Sequence, residues 1–137
     1  MNVNEILFYT IKCLKNFSNF NGRARRKEYW MFALAYSAVA IVLAILSEIA
    51  SLFNMLSWVL SVLILVPGLA VGVRRLHDIG KSGKMLLLIF VPIIGWAVLV
   101  YWACQPGQAE ENQYGLNPKD TPDIIPEIIK QEQQQQQ

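Results

Sequence analysis

The stretch MFALAYSAVAIVLAILSEIASLFNMLSWVLSVLILVPGLAVGV, residues 31–73, decides how this chain folds. Glu48 is its only charged side chain. A helix needs about 20 apolar residues to cross the hydrocarbon core of a membrane, which is about 30 Å thick. The stretch is therefore long enough for two crossings, and the residues at 51–54 have the character of a turn. We predict membrane-spanning helices over residues 31–50 and 55–73.

A second uncharged block, MLLLIFVPIIGWAVLVYWAC, covers residues 85–104. Its length fits one further span, and a single kinked helix is the simpler interpretation. Pro92 and Gly95 lie near its middle. The alternative is a re-entrant hairpin of two half-helices, which a membrane permits only where the turn is buried in protein. The predicted fold class is an all-α membrane protein with three transmembrane helices, the third kinked or re-entrant at Pro92 and Gly95.

Residues 4–17, NEILFYTIKCLKNF, have the spacing of a short amphipathic helix. Leu7, Ile11 and Leu14 share one face, whereas polar side chains such as Lys12 lie opposite. We expect this helix either in the plane of the membrane interface or packed against the protein's own cytosolic loop. No cleavable signal peptide is expected, because no basic segment followed by an uninterrupted apolar core begins the chain.

The composition divides the chain into a membrane domain, residues 1–118, and a tail, residues 119–137. The tail is acidic and ends in a run of glutamine, so we expect it to be disordered. Cys13 and Cys104 have no C-x-x-C partner, and three spans would separate them across the membrane. We therefore expect no disulfide bond, no zinc site and no cofactor.

Lysine and arginine are unevenly distributed along the chain. Residues 1–28 carry six, the loop predicted at residues 74–84 carries four, and the segment after Cys104 carries two. Cytoplasmic segments of membrane proteins hold the excess of these residues, so the amino terminus is predicted to be cytoplasmic. Three spans would make the carboxyl terminus external, whereas a re-entrant third segment would return it to the cytoplasm.

The two basic segments also hold the candidate site. Its members are polar residues expected at the cytoplasmic face, namely Arg23, Arg25, Arg26, Glu28, Arg74, Arg75, His77 and Asp78. We predict that Asp78 pairs with an amino-terminal arginine and that Glu28 pairs with Arg74 or Arg75, because a guanidinium engages a carboxylate with two hydrogen bonds. A structural polar cluster is preferred to a catalytic centre. The basic residues are also expected to attract anionic lipid headgroups, whereas nucleic-acid binding is not expected of so short a patch.

Three residues inside the predicted spans are further candidates. Glu48 is ionisable, and carboxylates within a membrane are costly. Its place near the outer end of its helix favours contact with interfacial water over a proton- or ion-relay role. Gly68 and Gly72 have the G-x-x-x-G spacing that lets helix backbones approach closely, a spacing that also arises by chance in such segments.

Three motifs resemble a known family. FNGRARRKEYWMF at residues 20–32, RRLHDIGKSG at 74–83 and NQYGLNP at 112–118 resemble, in order and spacing, the bacterial inner-membrane proteins of DUF805, a family of unknown function. The resemblance covers roughly residues 17–118. Members usually have an aromatic residue after the serine-glycine pair, where this chain has Lys84. The resemblance implies an integral protein of the bacterial inner membrane and supplies no established reaction.

Three functions are compatible with these features. The first is an accessory, regulatory or interaction subunit, which forms a homo-oligomer or binds a larger membrane protein. The alternative is an oligomeric transporter or channel for small solutes or ions, because three helices do not easily enclose a pathway. The third is an enzyme at the membrane surface that uses His77 and Asp78.

Overall fold

A computed structural model describes residues 3–118, and the predicted disordered tail at 119–137 lies outside this range. The described residues form helices and one isolated β-bridge, with no extended strand among them. In chain order the helices are α1 (Val3–Lys15), α2 (Arg26–Ser47), α3 (Ser51–Asp78), a 3-10 helix (Gly83–Phe90) and α4 (Ile94–Cys104). The all-helical class predicted from the sequence is confirmed for this part of the chain.

The α2 and α3 helices form an antiparallel hairpin and are long and apolar enough to cross a membrane. The turn between them is shorter and earlier than predicted. Backbone hydrogen bonds from Ile49 and Ala50 to the Leu46 carbonyl close it at residues 48–50. The predicted turn at 51–54 was wrong, because those residues already form the first turn of α3.

The carboxyl end of α3 differs most from the sequence prediction. The helix continues past the predicted end of the second span to Asp78. It ends with Gly80 at a φ of +78°. The Gly80 amide donates to the His77 carbonyl, and the Lys81 amide donates to the Leu76 carbonyl. This pair of bonds is a Schellman motif, in which glycine adopts the left-handed conformation at little cost. Most of the charged segment is therefore helix and not loop.

Residues 85–104 do not form a single helix, which corrects the simpler of the two predictions. The 3-10 helix ends at Phe90, and α4 begins at Ile94. Proline lacks a backbone donor and disfavours helical conformation in the residue before it, so Pro92 leaves Val91 extended. Ile93 has a φ of +67°, which completes the reversal.

The two short helices pack against each other as a hairpin. A Cβ atom at Gly95 would collide with the Leu88 carbonyl, so only glycine fits at this crossing. The Trp96 indole donates to the Ile89 carbonyl at 2.8 Å. At the open end of the hairpin the Lys81 ammonium lies 4.6 Å from the centre of the Trp102 ring. The two ends of the apolar block are therefore neighbours.

Few apolar side chains are buried inside the chain. The buried core cluster consists of Cys13, Ala24, Phe32 and Val71. Large apolar side chains along α2, α3, the 3-10 helix and α4 are exposed instead, among them Ile45, Trp58 and Phe90. Contiguous apolar surface of this extent marks a surface that meets other protein or lipid.

The α1 helix covers the amino-terminal part of α2. Tyr9 and Cys13 are its buried residues. The apolar stripe predicted from the sequence lies on a different side, and Leu7, Ile11 and Leu14 are exposed. Packing against the protein therefore leaves the apolar stripe uncovered. The structure therefore shows α1 packed against the protein, and a location of its exposed stripe in the membrane interface stays a prediction.

Candidate functional site

Arg23, in the loop between α1 and α2, is joined to the end of α3 by an ion pair. Its Nε donates to Asp78 Oδ1 at 3.0 Å. Its other four N–H groups bond backbone carbonyls: Nη2 reaches those of Asp78 and Gln108, and Nη1 reaches those of Glu110 and Gly115. All five donors of the guanidinium are thus used. The Arg23 side chain is 1% exposed, so water does not compete for these bonds.

Asp78 also pairs with Arg75, which lies on the preceding turn of α3. Arg75 Nη1 approaches Asp78 Oδ2 at 2.5 Å and also donates to the Ala24 carbonyl. Its Nε and Nη2 bond the Ala103 and Gln105 carbonyls at the end of α4. One carboxylate is therefore the shared partner of two buried guanidinium groups. We call Asp78 and its two arginines the Asp78 centre.

A second buried carboxylate lies on the first turn of α2. Arg74 Nη1 donates to Glu28 Oε1 at 2.7 Å, and Lys12 Nζ lies 3.6 Å from Oε2. The Cys13 thiol also donates to Oε1. Burial, reinforced by the negative charge of Glu28, raises the pKa of the Cys13 thiol to about 12. Glu28 with Arg74, Lys12 and Cys13 is called the Glu28 centre below.

His77 precedes Asp78 in the last turn of α3 and is 7% exposed. Its Nδ1 is 2.9 Å from the Gly22 carbonyl, and since a carbonyl only accepts, the hydrogen belongs on Nδ1. Its ring stacks on the Tyr114 ring with centroids 3.8 Å apart and planes 2° from parallel. Asn112 donates to the His77 backbone carbonyl at 2.8 Å. These contacts fix the position of the imidazole ring.

The segment after α4 returns to the Asp78 centre, which the sequence analysis did not anticipate. The Gln108 amide donates to the Asp78 carbonyl at 2.8 Å. A Cβ atom at Gly107 would collide with the Asp78 carboxylate, so glycine is required for this close approach. Asn112 and Gly115 exchange backbone hydrogen bonds that close a turn beside His77. The NQYGLNP motif was the sequence feature that could have indicated this contact, because it contributes Asn112 and the Tyr114 ring.

Both ion pairs expected from the sequence are present: Asp78 with an amino-terminal arginine, and Glu28 with Arg74. The other two amino-terminal arginines, Arg25 and Arg26, contact groups other than Asp78. Arg25 Nη1 lies 3.5 Å from the Tyr9 hydroxyl. Arg26 Nη1 donates to the Cys104 carbonyl at 3.1 Å.

The candidates within the predicted spans lie apart from both centres. Glu48 is exposed and caps the end of α2, outside the helix, at the opposite end of the α2–α3 hairpin. Gly72 packs inside the chain, where an added Cβ would meet the Leu86 side chain at 3.4 Å. Gly68 differs, because a Cβ added there meets nothing within 4 Å. The two glycines of the G-x-x-x-G motif therefore have different surroundings.

The centres can hold segments together, but their arrangement gives little opportunity for chemistry. Both oxygens of Asp78 face buried arginines, and the His77 ring is covered by Tyr114. Among residues 3–118 no three side chains of histidine, cysteine, aspartate or glutamate come together as metal ligands.

Comparison with known proteins agrees with the sequence motifs. Residues 17–116 match the family described as "Protein of unknown function (DUF805)". The chain is 44% identical to inner membrane protein YhaI of Escherichia coli K12 over 110 residues, which cover 80% of this chain and 93% of that protein. It is 40% identical to inner membrane protein YhaH of the same strain over 117 residues, covering 82% and 97%.

A more distant similarity extends to a third protein of the same strain, named "Uncharacterized protein YiiR". It is 34% identical over 90 residues, which cover 65% of this chain and 60% of that protein. No solved structure matches the chain. The match over residues 17–116 includes all three residues of the Asp78 centre, and Glu28 and Arg74 of the Glu28 centre. The chain belongs to the DUF805 family, whose relatives include inner membrane proteins of Escherichia coli.

Proposed function

We propose that this protein is a small accessory or interaction subunit of the bacterial inner membrane that binds a helix of another membrane protein. One observation carries the proposal. An apolar groove between α2, α3 and the 3-10 helix contains Gly68, whose missing side chain leaves open space. The chain's own packing does not require glycine there, whereas close approach of a second helix would.

The proposed topology has two membrane-crossing helices and a re-entrant hairpin. At 1.5 Å per residue, α2 and α3 span about 33 and 42 Å, enough for a hydrocarbon core of about 30 Å. The 3-10 helix and α4 each span only about 16 Å. The contact between Lys81 and Trp102 supports a chain that returns to the side from which it entered. The excess of lysine and arginine on that side supports its being the cytoplasmic side.

This topology makes the segment after α4 cytoplasmic, in place of the external terminus that three spans would require. A membrane-impermeant maleimide tests it on Cys104, which is exposed. We expect labelling in inverted vesicles and none in intact spheroplasts. The matched control is Ser51→Cys at the opposite end of the α2–α3 hairpin, where the sides should be reversed. Labelling of Cys104 from outside the cell would contradict the proposed hairpin.

The groove that would receive the partner helix has a volume of about 320 Å³. Aromatic and aliphatic side chains line it, including Phe32, Ile64 and Leu65, with Ser61 and Gly68 as small residues. Packing against small residues drives helix association in membranes, because burial of apolar surface gains little in a solvent that is itself apolar. A helix of a partner protein fits this chemistry better than a soluble ligand does.

Site-specific photocrosslinking in living cells tests the interaction. A photoreactive residue replacing Leu65 in the groove should give a discrete protein adduct, whereas one replacing Val62, exposed outside the groove, should not. Gly68→Leu should abolish the adduct by filling the groove. The control Ala38→Leu enlarges a small exposed residue of α2 outside the groove and should leave the adduct unchanged.

The mass of the adduct identifies the occupant. An adduct of this chain with a different protein supports the proposal, whereas an adduct between two copies indicates a homo-oligomer instead. Adducts with lipid alone, or equal adducts from both photoreactive positions, would contradict a helix-binding groove. Insensitivity of the protein adduct to Gly68→Leu would do the same.

A transporter or channel is the second candidate, and one cavity favours it. A space of about 190 Å³ between α2 and α3 is lined by polar groups that include Tyr36, Asn54 and three serines. The serines Ser47, Ser57 and Ser61 already donate to carbonyls of their own helices. Such bonds satisfy the hydroxyl groups without any solute. We therefore prefer the interaction function.

A further inference from the structure

A basic cavity lies on the side of the protein that holds the two carboxylate centres, but outside both of them. It has a volume of about 440 Å³ and is open to the surroundings. Its walls are Arg25, Arg26 and Lys27 at the start of α2, Trp30 one turn later, and Cys104 at the end of α4. The groove proposed for a partner helix uses none of these residues.

The described walls of the cavity are rich in positive charge. Three of the five described lining residues are basic, and none is acidic. Lys27 Nζ pairs with Glu5 at 2.8 Å, but both side chains are partly exposed, so water weakens this pair. Arg26 uses one guanidinium nitrogen on the Cys104 carbonyl and is otherwise exposed. An anion entering the cavity would therefore meet donors that it could engage directly.

The backbone adds to this positive potential. The cavity lies at the amino end of α2, a helix of 22 residues, and no side chain of its cap residue Arg25 bonds the first turn. The first amide groups of a helix lack partners within it and carry partial positive charge. Anions bind at such ends when other donors converge there. Here the arginine and lysine side chains supply those donors.

The position of the cavity selects the kind of anion. Trp30 forms one wall and donates its indole N–H to the Ala103 carbonyl at 3.2 Å, which fixes the ring beside the cavity. The uncharged part of α2 begins at Tyr29, the residue before it. Tryptophan in this position is typical of the boundary between headgroups and hydrocarbon. A ligand held here would have its charged group beside the arginines and an apolar part beside the span.

We propose that this cavity binds the phosphate group of an anionic phospholipid. Phosphate matches guanidinium donors in geometry as well as charge. The net negative charge of such a headgroup distinguishes it from a zwitterionic one, whose amine would face Arg25, Arg26 and Lys27. Phosphate in solution shares the chemistry of the headgroup but lacks the apolar part, and the experiment below separates the two.

Native mass spectrometry of the whole protein, released from bilayers that contain phosphatidylglycerol and phosphatidylcholine, counts the bound lipids. We expect one phosphatidylglycerol to be retained preferentially. The double variant Arg26→Gln, Lys27→Gln should reduce its apparent affinity about thirtyfold, since each basic residue near an anionic surface contributes about 1 kcal/mol. The control Lys15→Gln, Lys84→Gln removes the same charge from two exposed positions outside the cavity. An equal reduction in the control would overturn the proposal.

Folding of each variant is checked by Cys13, which is fully buried and should resist maleimide in the native protein.

A second measurement needs no substitution in the cavity. Cys104 lines the cavity, so a bound headgroup should slow its reaction with maleimide in phosphatidylglycerol bilayers relative to phosphatidylcholine. A cysteine introduced by Ser18→Cys, exposed on a loop, reports the general effect of surface charge.

The outcomes distinguish the possible sources of phosphate. Selective protection of Cys104 by phosphatidylglycerol, with none from inorganic phosphate, supports the lipid site. Equal protection by inorganic phosphate in phosphatidylcholine bilayers overturns a lipid ligand in favour of a soluble one. Equal slowing at Cys104 and at the thiol of the Ser18→Cys variant would show attraction to the surface alone and would also overturn the proposal.

Discussion

Both buried centres pair a carboxylate with arginine, but they differ in how many of the arginine donors have a hydrogen-bond partner. Asp78 bridges Arg23 and Arg75, and Arg23 uses all five of its donors. In the Glu28 centre, Arg74 is also buried, yet its Nε and Nη2 have no hydrogen-bond partner among residues 3–118. A buried donor without a partner costs about 1–3 kcal/mol. The Asp78 centre is therefore the better satisfied of the two.

This difference reflects what each centre connects. The carbonyls around Arg23 and Arg75 come from the loop before α2, from the ends of α3 and α4, and from the segment at 105–115. The contacts described for the Glu28 centre join α1, α2 and α3, and its second cation, Lys12, is partly exposed. Buried charges that bond several segments fix their arrangement, whereas a single pair fixes less. The sensitivity of the protein to substitution should follow the same order.

The largest effect is expected from Asp78→Asn, which leaves two buried arginines without a counter-charge. Removing one partner from a buried ion pair costs about 3–5 kcal/mol. We expect the variant to lose about this much free energy of unfolding, measured in detergent by denaturant titration with tryptophan fluorescence.

Charge reversal at Asp78 tests the same ion pair by a second route. Asp78→Arg should fail to accumulate in the membrane, and Arg23→Asp in the same chain should restore it only in part, because Arg75 still faces a positive charge.

A difference between two lysine substitutions is the next largest effect. Arg23→Lys keeps the charge but loses most of the bonds to backbone carbonyls, so we expect a loss of about 2–3 kcal/mol. Arg74→Lys keeps the pair with Glu28 and removes two donors that have no partner among the described residues, so its cost should be below about 1 kcal/mol. Both variants are compared by the same denaturant titration. Equal losses would contradict the proposed difference between the centres.

The smallest effect is a pH dependence contributed by the Glu28 centre. The pKa of the Cys13 thiol is raised from 9.0 to about 12 in the folded protein. Above pH 9 the unfolded chain releases this proton while the folded chain retains it, so stability is lost as pH rises toward 12. Cys13→Ser keeps a donor to Glu28 without a thiol. Wild type should lose about 1.4 kcal/mol more than this variant by pH 10, and parallel curves would refute the linkage.

Much of the fold follows from local sequence patterns. The length of the uncharged stretch predicted two long helices, and the spacing of apolar residues predicted α1. The opposite charges of Asp78 and the amino-terminal arginines predicted their ion pair. These features depend on hydrophobicity and charge, which are properties of the residues themselves. The position of Pro92 indicated a break, although a kinked span and a hairpin gave the same apolar pattern.

The remaining features depend on contacts that no local pattern reveals. Charged residues at 74–78 suggested a loop, yet they are helical because partners elsewhere in the chain satisfy each buried charge. The segment at 105–115 becomes part of the Asp78 centre only when the hairpin brings the chain back. Gln108 was therefore not recognisable as a contact of Arg23, since it contributes its backbone carbonyl and not a distinctive side chain.

The five bonds of Arg23 also set an order for assembly. Its partners lie 55 to 92 residues further along the chain, at Asp78, Gln108, Glu110 and Gly115. A nascent chain that has emerged only as far as α3 can offer this arginine Asp78 but not the three later carbonyls. Contacts so distant in sequence form late, because the intervening loop must close first. The hydrogen bonds of Arg23 can therefore be completed only after the chain has been synthesised as far as Gly115 and the segment after α4 has returned to the end of α3.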